Sequence, residues 1–128
     1  MTASRDFIAF VQELFGPLGG LSIRRMFGGA GVYSRGVMFA LIDDDTLYLK
    51  ADGETQKAFS ERDCDPFVYE SGSGKPVAMS YWRMPAELVD EPEEALAWAR
   101  TALDVARAAK ADLPPSSRRA SAVARWRR

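Results

Sequence analysis

Apolar residues at Phe7, Ile8, Val11, Leu14 and Phe15 fall at i, i+1, i+4, i+7 and i+8, the spacing of one helix face. This predicts an N-terminal helix, with Thr2 or Ser4 able to cap its start and Gly16-Pro17 stopping it. After Gly19-Gly20 the pattern shortens to that of strands. Leu21 to Phe27 is apolar-rich, Gly31 to Ser34 resumes after a glycine cluster, Val37 to Ile42 is nearly all apolar, and Thr46 to Lys50 alternates around Leu47 and Leu49. Arg35-Gly36 and Asp43-Asp44-Asp45 are short and rich in residues that tolerate chain reversal, so the runs form an antiparallel meander.

Gly53 to Arg62 reads as a short helix packing Ala58 and Phe59, and Asp65-Pro66 then starts a strand over Phe67 to Glu70. The loop SGSGKP leads into Val77 to Trp82, a second hairpin. Asp90-Glu91-Pro92-Glu93 opens the last helix with a capping residue, a first-turn proline and acids near the positive end of the helix dipole. Beyond it Ala95, Trp98, Ala102, Val105 and Ala109 share a face, with Ala99 and Ala106 beside them, a composition that lets a helix approach a sheet closely. The expected fold is α+β in two layers, an antiparallel sheet with helices on one face, in the order α-β(3 or 4)-α-β(2)-α.

The uncertain strand count lies in RRMFGGAGVY, Arg24 to Tyr33. A phosphate-binding loop needs a following helix and, in the Walker form, a lysine; here Val32-Tyr33 follow, with strand-forming side chains. Glycine within a strand marks a bulge, a bend or a close approach. The preferred reading is one long bent strand over residues 22 to 34, with Gly28, Gly29 and Gly31 as structural glycines at its hinge; two separate strands are the alternative.

The chain is 128 residues long, 47% hydrophobic and 27% charged, which fits one folded domain rather than a disordered chain. No stretch approaches the roughly 18 uninterrupted apolar residues of a membrane span, and MTASRDFIAF lacks the form of a secretory signal, so the expected location is cytoplasmic. Cys64 is the single cysteine and there is no histidine. That composition excludes an internal disulfide, Ser-His-Asp and Cys-His machinery, and the usual nitrogen and sulfur zinc sites. The three aspartates at 43–45 lack the alternation and distal glutamate of a calcium loop, and Asp63 and Asp65 beside Cys64 would raise its thiol pKa. No metal, no cofactor and no catalytic residue is expected.

Charge is uneven. The net charge is −1, yet residues 114–128 carry Arg118, Arg119, Arg125, Arg127 and Arg128 and no acid, leaving 12 basic against 18 acidic residues before them. Pro114-Pro115 interrupts any helix, so the expected organisation is a domain over 1–113 and a disordered basic tail over 114–128. The tail is either a solvated extension or a contact for nucleic acid or another polyanion, weak and without sequence choice.

The motifs RRMFGGAGVY, VMFALIDDDTLYLKAD, PFVYE, SYWRMP and ALAWAR, in this order across about residues 4 to 110, resemble the N-terminal domain of the TfoX family. The resemblance implies a small α+β fold similar to the type III secretion chaperones and a bacterial cytoplasmic protein without known enzymatic activity. It supplies no catalytic residues. Full-length competence regulators of that family carry a further C-terminal domain similar to helix-hairpin-helix units, whereas this sequence runs from its last helix into a basic tail, so the expectation is that a direct role in competence does not transfer.

Six residues are candidates for an interaction surface. Arg24 and Arg25 point to opposite faces if they lie on a strand, each facing either an acid or a partner, while Tyr33, Tyr48, Tyr69 and Trp82 imply a sheet apolar on both faces. With helices on one side only, uncovered aromatic surface would serve a protein partner or a two-fold homodimer. The expected function is a non-enzymatic binding or regulatory module acting through protein contacts, the alternative a nucleic-acid-associated protein using its basic tail.

Overall fold

A computed structural model describes residues 3–26, 28–70 and 76–111, apart from the side chains of residues 26, 69, 70, 76–79 and 111. It is α+β: helices α1 (Arg5–Phe15), α2 (Gln56–Glu61) and α3 (Pro92–Ala111), and strands β1 (Leu21–Met26), β2 (Gly29–Ser34), β3 (Val37–Asp43), β4 (Thr46–Lys50), β5 (Pro66–Glu70) and β6 (Pro76–Arg83). Short 3-10 turns cover Gly16–Leu18 and Ala86–Asp90. The six strands form one sheet in the order β1-β2-β3-β4-β6-β5, every pair antiparallel.

The bent-strand expectation is overturned. Met26 pairs with Gly29, so β1 and β2 are separate antiparallel strands of a hairpin. Gly28 has φ +84, the left-handed conformation such a turn needs and glycine supplies without a steric penalty. Gly28 lies where the chain reverses, while Gly29 and Gly31 are paired residues within β2. Gly29 has a separate reason to lack a side chain, because a Cβ there would collide with the Ile42 carbonyl of β3.

The next two connections follow the same rule. Arg35 (φ +49) with Gly36 (φ +82), and Asp44 (φ +53) with Asp45 (φ +52), are two-residue turns with both residues left-handed, the form that matches the twist of paired strands. The irregularity in the meander lies elsewhere. Val32 faces Ala40 but Tyr33 faces Met38, which leaves Phe39 as an extra residue. In a regular strand neighbours face opposite ways; this bulge lets both Phe39 and Ala40 join the core.

All three helices pack on one face of the sheet. Ser4 caps α1, its Oγ accepting from the Phe7 N–H at 3.1 Å, and Val11, Leu14 and Phe15 are buried. The Phe15 ring meets Phe39 edge-on at 5.7 Å. On α3 the buried stripe is Ala95, Ala99, Ala102, Leu103 and Ala106, which lies against β3 and β4, while Trp98 and Val105 sit at its margin. Phe59 of α2 stacks edge-on against Trp98 at 4.9 Å and leans on Trp82 of β6 at 6.2 Å. Burying a phenylalanine in this way stabilises by about 2–3 kcal/mol. Ala58, expected to pack with it, faces solvent, since a six-residue helix buries one side only.

Gly29→Ala is expected to cost about 2 kcal/mol, because the new Cβ must displace a β3 backbone carbonyl. Gly53→Ala, where nothing lies within 4 Å of the added carbon, should be close to neutral. Thermal melts of both variants check this, with a fall of roughly 5–10 °C expected for the first alone.

Candidate interaction face of the sheet

Strand register decides which of the candidate residues meet. Arg24 lies opposite Gly31, Gly31 opposite Leu41, Leu41 opposite Tyr48, and Tyr48 opposite Arg83, so one straight row crosses five strands on the face away from the helices. Gly31, itself buried, brings no side chain to the row between Arg24 and Leu41. Leu41 is fully buried.

Aromatic and cationic side chains close around this row. The Arg24 guanidinium sits 5.6 Å from the Tyr33 ring centroid, and Tyr48 meets Phe67 of β5 edge-on at 5.0 Å. Arg83 Nη2 donates to the Asp63 carbonyl at 3.0 Å. Further along, Lys50 of β4 is buried, with Nζ 2.6 Å from Ser80 Oγ and 5.2 Å from the Tyr81 ring centroid. Burial pushes the phenols of Tyr33 and Tyr48 above the usual tyrosine value. Arg24 partly opposes the rise at Tyr33; at Tyr48, Asp43 adds to it and Arg83 opposes it.

The six sequence candidates therefore separate. Arg24, Tyr33 and Tyr48 share the outer face. Arg25 is on the other side, where Nη1 donates to the Ala3 carbonyl at 2.7 Å and ties β1 to the start of α1. Trp82 also turns to the helices, opposite Leu49 and against Phe59. The Tyr69 side chain lies outside the described residues, as do Arg118, Arg119, Arg125, Arg127 and Arg128. Sequence reasoning missed Leu41, Phe67 and Arg83. Alternation marks Arg83 as sharing a face with Tyr81, but the pairing of β4 with β6 that sets it beside Tyr48 is non-local and leaves no local signal.

Asp45, Cys64 and Asp52 have structural surroundings of their own. Asp45 Oδ1 accepts the Ser4 N–H at 2.7 Å. The Cys64 thiol is buried and pushed up chiefly by that burial, with Asp65 a smaller contributor. Asp52 caps the approach to α2, accepting from the Thr55 and Glu54 N–H groups at 2.8 and 3.0 Å, which lowers its pKa. Among the described residues, no three histidine, cysteine or acidic side chains come together as a metal-binding group, and no helix is long and apolar enough to cross a membrane.

The family model for the TfoX N-terminal domain matches residues 13–106. A curated relative, "DNA transformation protein TfoX1" of Aliivibrio fischeri, is 36% identical over 63 residues, covering 49% of this chain and 28% of that protein. The match thus spans less than a third of the relative's length.

The raised phenol pKa values make a prediction with a definite sign. Folded Tyr33 and Tyr48 hold their protons more tightly than the unfolded chain, so their contribution is present below 10.0, the ordinary tyrosine value, and is lost as pH rises through the folded values. Urea midpoints measured from about pH 8 to pH 11 should fall. The Tyr33→Phe/Tyr48→Phe variant should flatten the slope; an identical slope in that variant would contradict the assignment.

Proposed function

The chain belongs to the TfoX N-terminal domain family, and from that premise we propose that it is a non-enzymatic regulatory module of the bacterial cytoplasm. It acts by binding another protein, a second copy of itself included, through the sheet face opposite its helices. The observation that carries this reading is the row Arg24, Leu41, Tyr48 and Arg83 with Tyr33 and Phe67 around it. Tyrosine and arginine concentrate binding energy because each combines a broad apolar body with a polar tip that stays satisfied in water when the partner is absent. Tyr33 and Tyr48 are already half-buried and held by neighbours, so docking removes little of their rotamer freedom.

The printed name of the Aliivibrio fischeri relative ties that protein to DNA transformation. For this chain we propose the binding role alone, since the aligned part is 28% of that protein.

The test uses the full chain as bait in lysate of its source bacterium, with and without nuclease, comparing the natural chain with Arg24→Glu/Tyr48→Ser. A nuclease-resistant partner is expected on the natural chain, with affinity for the double variant lower by roughly ten- to thirtyfold. Sedimentation of both forms reads self-association in the same way. Equal capture by the variant refutes the face; capture abolished by nuclease in both forms favours nucleic acid held by the arginines of residues 114–128.

A further inference from the structure

A second surface lies on the helical side, at the junction of α3, the Gly16–Leu18 turn and the β2-β3 turn. An open cleft of about 230 Å³ there is lined by Arg35, Arg100, Arg107, Asp104 and the apolar Pro17, Leu18 and Leu103. Three arginines and one aspartate thus share the lining. Among the described residues none of the three arginines is ion-paired, and the ion pairs seen there are those of Arg62 with Glu87 and Glu94.

The cleft is built rather than incidental. Arg35 occupies a left-handed turn position, φ +49, where asparagine or glycine would be less strained. Its N–H donates to the Gly20 carbonyl at 2.9 Å, and its side chain runs back across Gly19 and Gly20. A Cβ on Gly20 would fall 2.6 Å from Arg35 Cγ, and one on Gly19 would lie 3.1 Å from Nη2, so the glycine pair makes the channel in which the arginine lies. Ser34, fully buried, fixes that channel by donating from Oγ to the Gly19 carbonyl at 2.9 Å. Opposite, Arg100, Asp104 and Arg107 stand at i, i+4 and i+7 on one helix face.

We infer that this cleft binds a small phosphorylated molecule, its phosphate held by Arg35, Arg100 and Arg107 and its organic part against Pro17 and Leu18. Planar guanidinium forks match phosphate oxygens two at a time, and an anion relieves the mutual repulsion of three clustered cations. The cleft's single carboxylate and small volume suit a small organic phosphate better than a long uniform polyanion. The inference stands apart from the sheet-face reading, since no residue is shared.

The strain at Arg35 makes the test clean. Arg35→Asn suits the left-handed turn and should hold or raise the melting temperature, while removing one phosphate fork. Titration calorimetry of the full chain with adenosine 5′-monophosphate is expected to show saturable binding, weakened roughly tenfold or more in Arg35→Asn and in Arg107→Gln, and unchanged in Arg24→Gln. Inorganic phosphate should bind more weakly than the nucleotide. Absent binding at about 1 mM nucleotide, or equal binding by Arg35→Asn, Arg107→Gln and the natural chain, overturns the site. A DNA duplex that competes through the same arginines, and binds more tightly than the nucleotide, overturns the small-molecule assignment.

Discussion

The alanine stripe of α3 against β3 and β4 sets the positions of the other helices. Ala95, Ala99, Ala102 and Ala106 are all buried, and side chains this small let the helix approach the sheet closely. Space is then left at both flanks, where the sheet twists away from a straight helix. Phe15 and Phe39 fill one flank beneath α1, and Phe59, Trp82 and Trp98 fill the other beside α2. A larger residue on the stripe would lift α3 and open both flanks together, a strain of about 1–3 kcal/mol.

With every helix committed to one face, the opposite face must satisfy itself. Leu41 is buried there in a row with Gly31 and Tyr48, while Arg24 and Tyr33, and Tyr48 and Phe67, pack pairwise. Side chains with apolar bodies and polar tips suit that position, because they cover apolar sheet without an unsatisfied group. The same property fits a surface that is wetted at one time and covered at another. The arginine cleft uses a different device: backbone conformations reserved for glycine place a cation where α3 supplies two more.

Much of the fold was legible because local chemistry and tertiary packing agree. The period of α1, the alanine run of α3, the turn at Arg35-Gly36 and the second hairpin appear in the structure as the sequence suggests, and the Asp43-Asp44-Asp45 turn does so except that Asp43 ends β3. The region around Gly28 was misread because the sequence there lacks the Asn-Gly or Asp-Gly signature of a tight hairpin, and glycine serves bent strands and reversals equally well. The bulge at Phe39 was invisible, since an all-apolar strand has no alternation to break.

The candidate surface was legible residue by residue and not as a surface. Alternation along β4 and β6 sends Tyr48 and Trp82 away from their neighbours, but only the register of β4 with β6 reveals that these two residues face opposite sides of the sheet. Local spacing by itself determined the helices and most strands, because those depend on residues a few positions apart, and composition alone excluded histidine chemistry. The tertiary structure decided the insertion of β6 between β4 and β5, the row from Arg24 to Arg83, and the meeting of Arg35 with Arg100 and Arg107. Each joins segments tens of residues apart through packing and hydrogen bonding that local patterns do not encode.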